Sequence, residues 1–237
     1  MNSQALIIIP AYNEADTIAE VLQGLRRAAP DLDRLVVTDG SKDETAEIVA
    51  KLGEKQLRLL CNLGYGRALQ TGIKYALGRG YDLVVFFDGD GQHKPEDVPR
   101  LVSALLDGGA DMVIGSRFGK KRPYIGPLGR RIGQFLFSQF TYLLLGRRIY
   151  DTTSGLKAIR AQACETLVRG TLMDFHTEAL VRLSLLGFAI AEVPVSMRER
   201  EHGQSMHSLS SAVEYPIKTF VLTLVAAVDA LLQRRTS

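Results

Sequence analysis

Residues 84–99 read VVFFDGDGQHKPEDVP, an apolar run that stops abruptly at Asp88, Gly89 and Asp90. A short run rich in Val and Phe and closed by turn residues is the pattern of a strand buried on both faces of a parallel sheet. If the strand continues to its end, side chains alternate and Asp88 and Asp90 share a face. Two carboxylates that close both stay ionised only with a cation between them; otherwise one takes a proton. Gly89 and Gly91 remove side chains and let a ligand approach the backbone. The rival reading is a solvated turn, because Asp and Gly are ordinary turn residues, so the rest of the chain must decide.

Working outward, strand and helix signals alternate through the first half. ALIIIP (5–10), RLVVTD (34–39), LRLL (57–60), DLVVFFD (82–88) and ADMVIGS (110–116) read as strands. Between them, residues 14–28, 42–52, 67–77 and 95–106 carry apolar residues at helical spacing. Such alternation predicts an α/β fold with a mostly parallel central sheet flanked by helices. Ligands in such sheets bind outside the carboxyl ends of the strands. Polar clusters stand at four of those ends: Tyr12-Asn13-Glu14, Asp39-Gly40-Ser41, Asp88-Gly89-Asp90 and Ser116-Arg117. Four at one edge predict a composite site.

The second half differs. Residues 132–145 are apolar almost all round, 151–159 (DTTSGLKAI) form a polar loop leading into a strand, and 174–188 read as a helix. A strand at 189–197, a polar loop at 198–205 and a long apolar helix over 212–235 follow. The expected organisation is one domain over residues 1–237, with a nucleotide-binding half (1–117) and an acceptor-binding half (118–237) that carries the apolar C-terminal helix.

Composition narrows the function classes. A net charge of +3 is too mild to argue for nucleic acid. The two cysteines, Cys61 and Cys164, make neither a metal spacing nor a disulfide framework, so a reducing cytoplasm is the expected compartment. The opening MNSQALIIIPAYNE has no basic leader and too short an apolar run for a signal peptide. No stretch approaches the ~20 apolar residues of a membrane span. Charge is unevenly placed: Met112 to Tyr150 holds no acidic residue but carries Arg117, Lys120, Lys121, Arg122, Arg130, Arg131, Arg147 and Arg148. That run is either a solvated basic face or a site for phosphate groups and anionic lipid.

Rival chemistries fail on spacing. Gly64-Tyr65-Gly66-Arg67 lacks the third glycine of a dinucleotide loop, no phosphate-binding P-loop occurs, and Gln92 and His93 break an EF-hand register. The four histidines, His93, His176, His202 and His207, have no zinc spacing and read as surface or hydrogen-bonding residues. A phosphohydrolase with a phosphorylated Asp remains a rival, weakened by Gln92 standing where a hydroxyl is expected. A nucleotide-sugar site accounts for more. Mg²⁺ or Mn²⁺ prefers carboxylates, waters and substrate phosphates. Asp88 and Asp90, with Gln92 as a neutral third ligand, would hold the metal that carries a diphosphate leaving group, and Arg200 would reach a phosphate from the far side.

IIIPAYNE, VVTDGSKDET, FFDGDGQHKPEDVP, IGSRF, DTTSGLKAI and EVPVSMREREHGQS resemble, in this order, the motifs of family 2 glycosyltransferases. Within that family the chain is similar to the dolichol-phosphate mannosyltransferase-like group of polyprenyl-phosphate sugar transferases. The resemblance spans roughly residues 5–206. It implies a GT-A fold and inversion at the anomeric carbon. It implies Pro10, Tyr12 and Glu14 in the nucleoside pocket, with Glu14 on the ribose, and Asp39 on the base. Asp88, Asp90 and Gln92 would bind metal and diphosphate, Arg117 would face an acceptor phosphate, Arg200 the donor diphosphate, and Ser205 would belong to the same closing loop. Met206 stands where such enzymes often carry Lys, which removes one phosphate contact. Many of these relatives also carry transmembrane helices beyond the catalytic domain.

The acceptor is open at this stage. A sugar hydroxyl needs a general base, for which Asp151, Asp174 and Glu178 are candidates; their plainer roles are turn, cap and exposed helix residues. A phosphate monoester, with a second pKa of about 6, needs none. The acid-free basic stretch favours the anionic acceptor. The apolar segments 132–145 and 217–232 have basic residues at their ends. They suit contact with a membrane surface on its cytoplasmic side, a packed core, or an interface between copies of the chain.

Overall fold

A computed structural model describes residues 4–118, 128–169, 174–198 and 211–236. The first strand, β1 (Ala5–Ala11), is buried along its whole length. The chain continues through α1 (Ile18–Ala28), β2 (Asp33–Asp39), α2 (Thr45–Lys51), β3 (Lys55–Leu59), α3 (Tyr65–Gly78), β4 (Leu83–Phe86), α4 (Asp97–Asp107) and β5 (Met112–Ser116). The second half supplies α5 (Leu128–Leu145), β6 (Lys157–Arg160), α6 (Ala161–Arg169), α7 (Thr177–Leu185), β7 (Ile190–Pro194) and α8 (Ser211–Thr236). All seven strands form one sheet in the order β3-β2-β1-β4-β6-β5-β7. Both halves of the sequence therefore share a single framework.

The sheet is parallel except for β6, which runs antiparallel to both β4 and β5. Its layers follow from strand alternation. Ile7, Ile9, Val85, Val113 and Ala158 face α1 and α4, while Leu6, Ile8, Phe86, Ile114 and Ile159 face α3, α6 and α7. The expected α/β class and the strand-helix alternation hold. α6 was not anticipated, because it begins at Ala161, directly after β6 ends at Arg160, with no loop to mark it.

Pro10 decides where the central ladder stops. The Phe87 N–H bonds to the Ile8 carbonyl, so Ile8 faces β4, and Pro10, two residues on, faces the same side. Proline has no N–H to give, and β4 pairing indeed ends at the Ile8–Phe86 pair. The strand read over 82–88 is thus cut to Leu83–Phe86, and the Asp88-Gly89-Asp90 turn passes over the opening. A Cβ on Gly89 would come within 3.2 Å of the Pro10 carbonyl, which leaves little room for a side chain there.

Among the described residues no helix is long and apolar enough to cross a membrane. α8 is nevertheless unusual. Its buried positions are small or polar (Thr219, Thr223, Ala226, Ala227, Ala230), whereas Ile217, Phe220, Val221, Leu224, Val225, Val228, Leu231 and Leu232 are exposed. Asp229 is tied to the buried Arg182 of α7. α5 adds exposed Phe135, Leu136, Tyr142 and Leu143, and Phe140 packs on Phe220 with ring centroids 4.5 Å apart. The two helices therefore present one outward apolar face.

Candidate active site

The carboxyl ends of β1, β2, β4 and β5 lie at one edge, as the parallel pairing requires. Because β6 is reversed, the loop that precedes it, Asp151–Leu156, arrives at that same edge. Asp88 is the point where the two sets meet. Its Oδ1 accepts from the Tyr65 hydroxyl at 3.0 Å and its Oδ2 lies 3.1 Å from His93 Nε2. A Cβ on Gly155 would overlap the Asp88 carboxylate, so only glycine fits that position. Burial pushes the Asp88 pKa up, but the hydrogen bond and charge of His93, with the Tyr65 hydroxyl, outweigh it and bring it to about 2. Asp88 is therefore ionised at neutral pH.

The expectation that Asp88 and Asp90 share a face by strand alternation does not hold. The ladder ends at Phe86 and residues 89 and 90 form a turn, so strand alternation does not govern the two side chains. Asp88 points inward, whereas Asp90 accepts the Gln92 N–H at 3.1 Å and lines a cleft with Asp16, Thr17 and Arg198. Among the described residues no group of three or more His, Cys, Asp or Glu side chains is arranged to hold a metal ion. Two carboxylates and the Gln92 amide nevertheless make a hard oxygen donor set, and Mg²⁺ commonly takes one or two carboxylates and fills the rest with water and substrate phosphate.

Of the residues expected to meet a nucleoside, Pro10 is buried in β1, and Tyr12 and Glu14 are half-buried in the loop that follows. The Thr17 hydroxyl lies 3.0 Å from the Glu14 carboxylate and 2.8 Å from the Gly89 carbonyl, tying that loop to the Asp-Gly-Asp turn. Asp39 is buried, and its two oxygens accept the Leu63 and Gly64 N–H groups, each at 2.8 Å. It thus anchors the loop before α3 as well as facing the site edge.

Arg117 and Asp151 form a two-pronged pair: Nε to Oδ2 at 2.7 Å and Nη2 to Oδ1 at 2.9 Å, with the Arg117 N–H also on Oδ2 at 2.9 Å. The pair is itself held. Arg117 Nη2 donates to the Thr153 hydroxyl at 3.0 Å, and the N–H groups of Tyr150 and Asp151 donate to the Glu192 carboxylate at 2.9 Å. Asp151 is fully buried. Of the other candidate bases, Asp174 pairs with Lys218 at 2.9 Å. Glu178, expected to be an exposed helix residue, is buried, because α7 is covered on almost every side. Burial raises its pKa, and its Oε2 has no hydrogen-bond partner among the described residues.

Three residues escaped sequence reasoning. Lys157, 1% exposed, lies under the site and donates to the Ser154 carbonyl. Tyr65 holds Asp88 and stacks on His176 with ring centroids 5.2 Å apart and planes 4° from parallel. His93 is buried, packs edge-on to Phe87 and bridges to Met197, while the Arg198 N–H bonds to the Gln92 carbonyl at 2.9 Å. The segment after β7 thereby closes over the Asp-Gly-Asp turn. A lone Lys inside the apolar run LKAI was the available signal for Lys157. Arg200 and Ser205, like Lys120, Lys121, Arg122, His202, Met206 and His207, lie outside the described residues.

A profile of the family described as "Glycosyl transferase family 2" matches residues 6–168, from β1 to the end of α6, and takes in the site loops as far as Asp151–Leu156 but not α7, β7 or the segment after it. The chain belongs to glycosyltransferase family 2. Similar proteins include an undecaprenyl-phosphate mannosyltransferase of Micrococcus luteus, 34% identical over 86% of this chain and 88% of that protein. A UDP-N-acetylglucosamine–dolichyl-phosphate N-acetylglucosaminyltransferase of Methanococcus voltae is 31% identical over 84% of this chain and 87% of its own length. Among solved structures, glucosyl-3-phosphoglycerate synthase from Mycobacterium tuberculosis, in complex with Mn²⁺, UDP-glucose and phosphoglyceric acid, superposes with a TM-score of 0.73. That match covers 95% of this chain and 80% of the other at 20% identity, and it shows a shared GT-A fold. The resemblance read from the six motifs thus holds at the level of family, relatives and fold.

The site of this glycosyltransferase has a built-in acid sensitivity. Burial, then the charge of Lys157, lowers the His176 pKa to about 4. The folded chain resists a proton that the unfolded chain accepts near pH 6.5. This contribution to stability is complete above about pH 6.5 and is lost as pH falls toward about 4. His176→Gln is expected to flatten the decline by roughly 1–3 kcal/mol, read from urea midpoints near pH 7 and near pH 4.5. A decline as steep as that of the wild type would assign the sensitivity to other groups.

Proposed function

We propose that this transferase moves a sugar, with inversion, from a UDP- or GDP-linked donor to a polyprenyl phosphate. The observation that carries the acceptor assignment is the state of the three candidate bases. Asp151 has both oxygens on Arg117, Asp174 is ion-paired with Lys218, and Glu178 is buried in the first turn of α7. An acceptor that arrives already ionised fits a site whose three candidate bases are ion-paired or buried, and a phosphate monoester is such an acceptor. The names of the relatives support the same class, and the Mn²⁺ in the structural neighbour supports a divalent metal.

In this reading residues 1–117 bind the donor and 118–237 the acceptor. Pro10, Tyr12, Glu14 and Asp39 line the nucleoside pocket. Asp88, Asp90 and Gln92 hold Mg²⁺ or Mn²⁺, which supplies charge neutralisation to the diphosphate leaving group. Asp88 is ready for that task because His93 and Tyr65 keep it ionised and fixed. Asp151 orients Arg117 so that its outer edge meets the acceptor phosphate, and bidentate pairing keeps the guanidinium from turning away. Arg200 and Ser205 belong to the segment expected to cover the donor diphosphate. The family assignment and the double hydrogen bonding of Asp88 leave the phosphohydrolase reading without support.

The purified protein should gain about 2.7 kcal/mol of stability from one nucleoside diphosphate at a hundred times its dissociation constant. Thermal melts with UDP, GDP, dTDP and ADP, each with and without Mn²⁺, should single out one nucleotide, with a metal-dependent gain that disappears in Asp90→Ala. Absence of any gain would overturn the donor assignment.

A second reading, transfer to a saccharide or other hydroxyl, draws on the raised pKa and unpartnered Oε2 of Glu178. A general base there predicts that Glu178→Gln slows turnover by about 10²–10⁴. The phosphate reading predicts a loss of less than about tenfold in steady-state assays.

The outward apolar face of α5 and α8 fits a lipid surface on the cytoplasmic side, where the proposed acceptor lies. Large apolar residues point away from a small, polar inner side, and the 112–150 sequence, which includes α5, is basic and free of acids. Phosphatidylglycerol vesicles should carry the protein down on centrifugation, and Leu143→Glu with Val228→Glu should release it. Wild-type protein that stays in the supernatant as a dimer would assign the face to a second copy instead.

A further inference from the structure

Lys157 is the first residue of β6 and sits opposite Phe86 on β4 and Ile114 on β5. Directly paired residues share a face, so its stem lies in the apolar layer beneath α3, α6 and α7. An ammonium sealed in that position is costly unless its charge is answered. Burial pulls its pKa down to about 8 against the opposing pull of Asp88, Asp151 and Glu178, with Arg117 pushing the same way as burial. Three acids from three separate elements thus converge on one cation. They are the donor-side carboxylate after β4, the Arg117 partner before β6, and the first-turn acid of α7.

The contact it makes matters more than its charge balance. Lys157 donates to the carbonyl of Ser154. The Ser154 hydroxyl in turn donates to the Gly115 carbonyl at 2.7 Å, next to Ser116 and Arg117. Gly155 sits so close to Asp88 that a Cβ there would overlap the carboxylate. Thr152 is held from α7 by the Thr177 hydroxyl at 3.4 Å. The 151–155 loop thus carries both the Asp88 contact, at Gly155, and the Arg117 partner, Asp151, within five residues, and Lys157 fastens it from below.

We infer that Lys157 is a positioning residue that locks the 151–155 loop, and through it sets Asp88 toward the donor and Arg117 toward the acceptor as one rigid unit. This rests on the proposed roles of Asp88 and Arg117, but the fastening of the loop is testable without them. Lys157 touches neither substrate. It acts on metal binding from behind, where loss of such a supporting group typically costs about 10- to 100-fold in metal affinity.

The test compares wild type, Lys157→Met and the double variant Lys157→Met/Glu178→Gln, which removes one buried charge of each sign and keeps the chain foldable if the single variant is not. Hydrogen exchange of the 152–156 amides is followed in the metal-free protein, and Mn²⁺ affinity is measured by titration with the nucleoside diphosphate that stabilises the wild type. The expected result is exchange at least about tenfold faster in this loop, with the α1 and α4 amides unchanged, together with Mn²⁺ binding weakened about tenfold or more. Loop exchange at the wild-type rate in a folded variant overturns the inference. So does a double variant with wild-type exchange and wild-type Mn²⁺ affinity, since Lys157 would then serve only to neutralise Glu178. If the wild type binds neither nucleotide nor Mn²⁺, the donor reading fails while the exchange comparison still decides the role of Lys157.

Discussion

The reversed direction of β6 is the constraint on which the site depends. A purely parallel sheet would deliver the 151–155 loop to the opposite edge, remote from Asp88 and Arg117. By running antiparallel between β4 and β5, four residues bring a second-half loop to the edge where the first-half strands end. Asp88 and the Asp151–Arg117 pair then meet at one edge of the sheet. The reversal places a lysine at the base of the site, and the buried acids around it answer the charge that this placement imposes.

The fold was legible where periodicity was strong. The five first-half strands and their helices follow from apolar spacing, and the element bounds shift by only a few residues. α1 starts at Ile18 rather than Glu14, because Asn13 takes φ +56° and the Glu14 and Ala15 N–H groups turn to Thr45 and Asp43. Strand direction was not legible in β6, since KAIR is too short to carry a direction signal. The site was legible as a set of polar strand ends but not as a network. Asp88, Arg117 and Asp151 stand out as residues, whereas their partners Tyr65, His93 and Lys157 sit in a rejected glycine loop, a polar turn and the edge of a strand. Their roles come from contacts between distant parts of the chain. Glu178 illustrates the same limit, because its exposure depends on what packs over α7.

Strain is concentrated beside the site. Phe175, a bulky residue, adopts φ +57°, a conformation seldom taken without glycine. Its ring is buried edge-on against Phe86, so packing on the end of β4 holds the backbone where it would not otherwise stay. The following residue, His176, then stacks on Tyr65, and α7 starts with Glu178 in its first turn. The core residue Phe86 thus sets both the end of β4, two residues before Asp88, and the entry to α7.

The two thiols have opposite surroundings. Cys164 is sealed in the layer beneath the sheet, where burial pushes its pKa up, while Cys61 is exposed. The backbone of Cys61 lies directly under Gly40, whose φ of +65° leaves no space for a side chain, and the next two amides but one are those that grip Asp39. A thiol-reactive dye therefore marks one position in the native protein, on the loop that clasps the expected base-recognition residue. A dye at Cys61 would therefore report movement of the loop that holds Asp39, with no cysteine to add or remove.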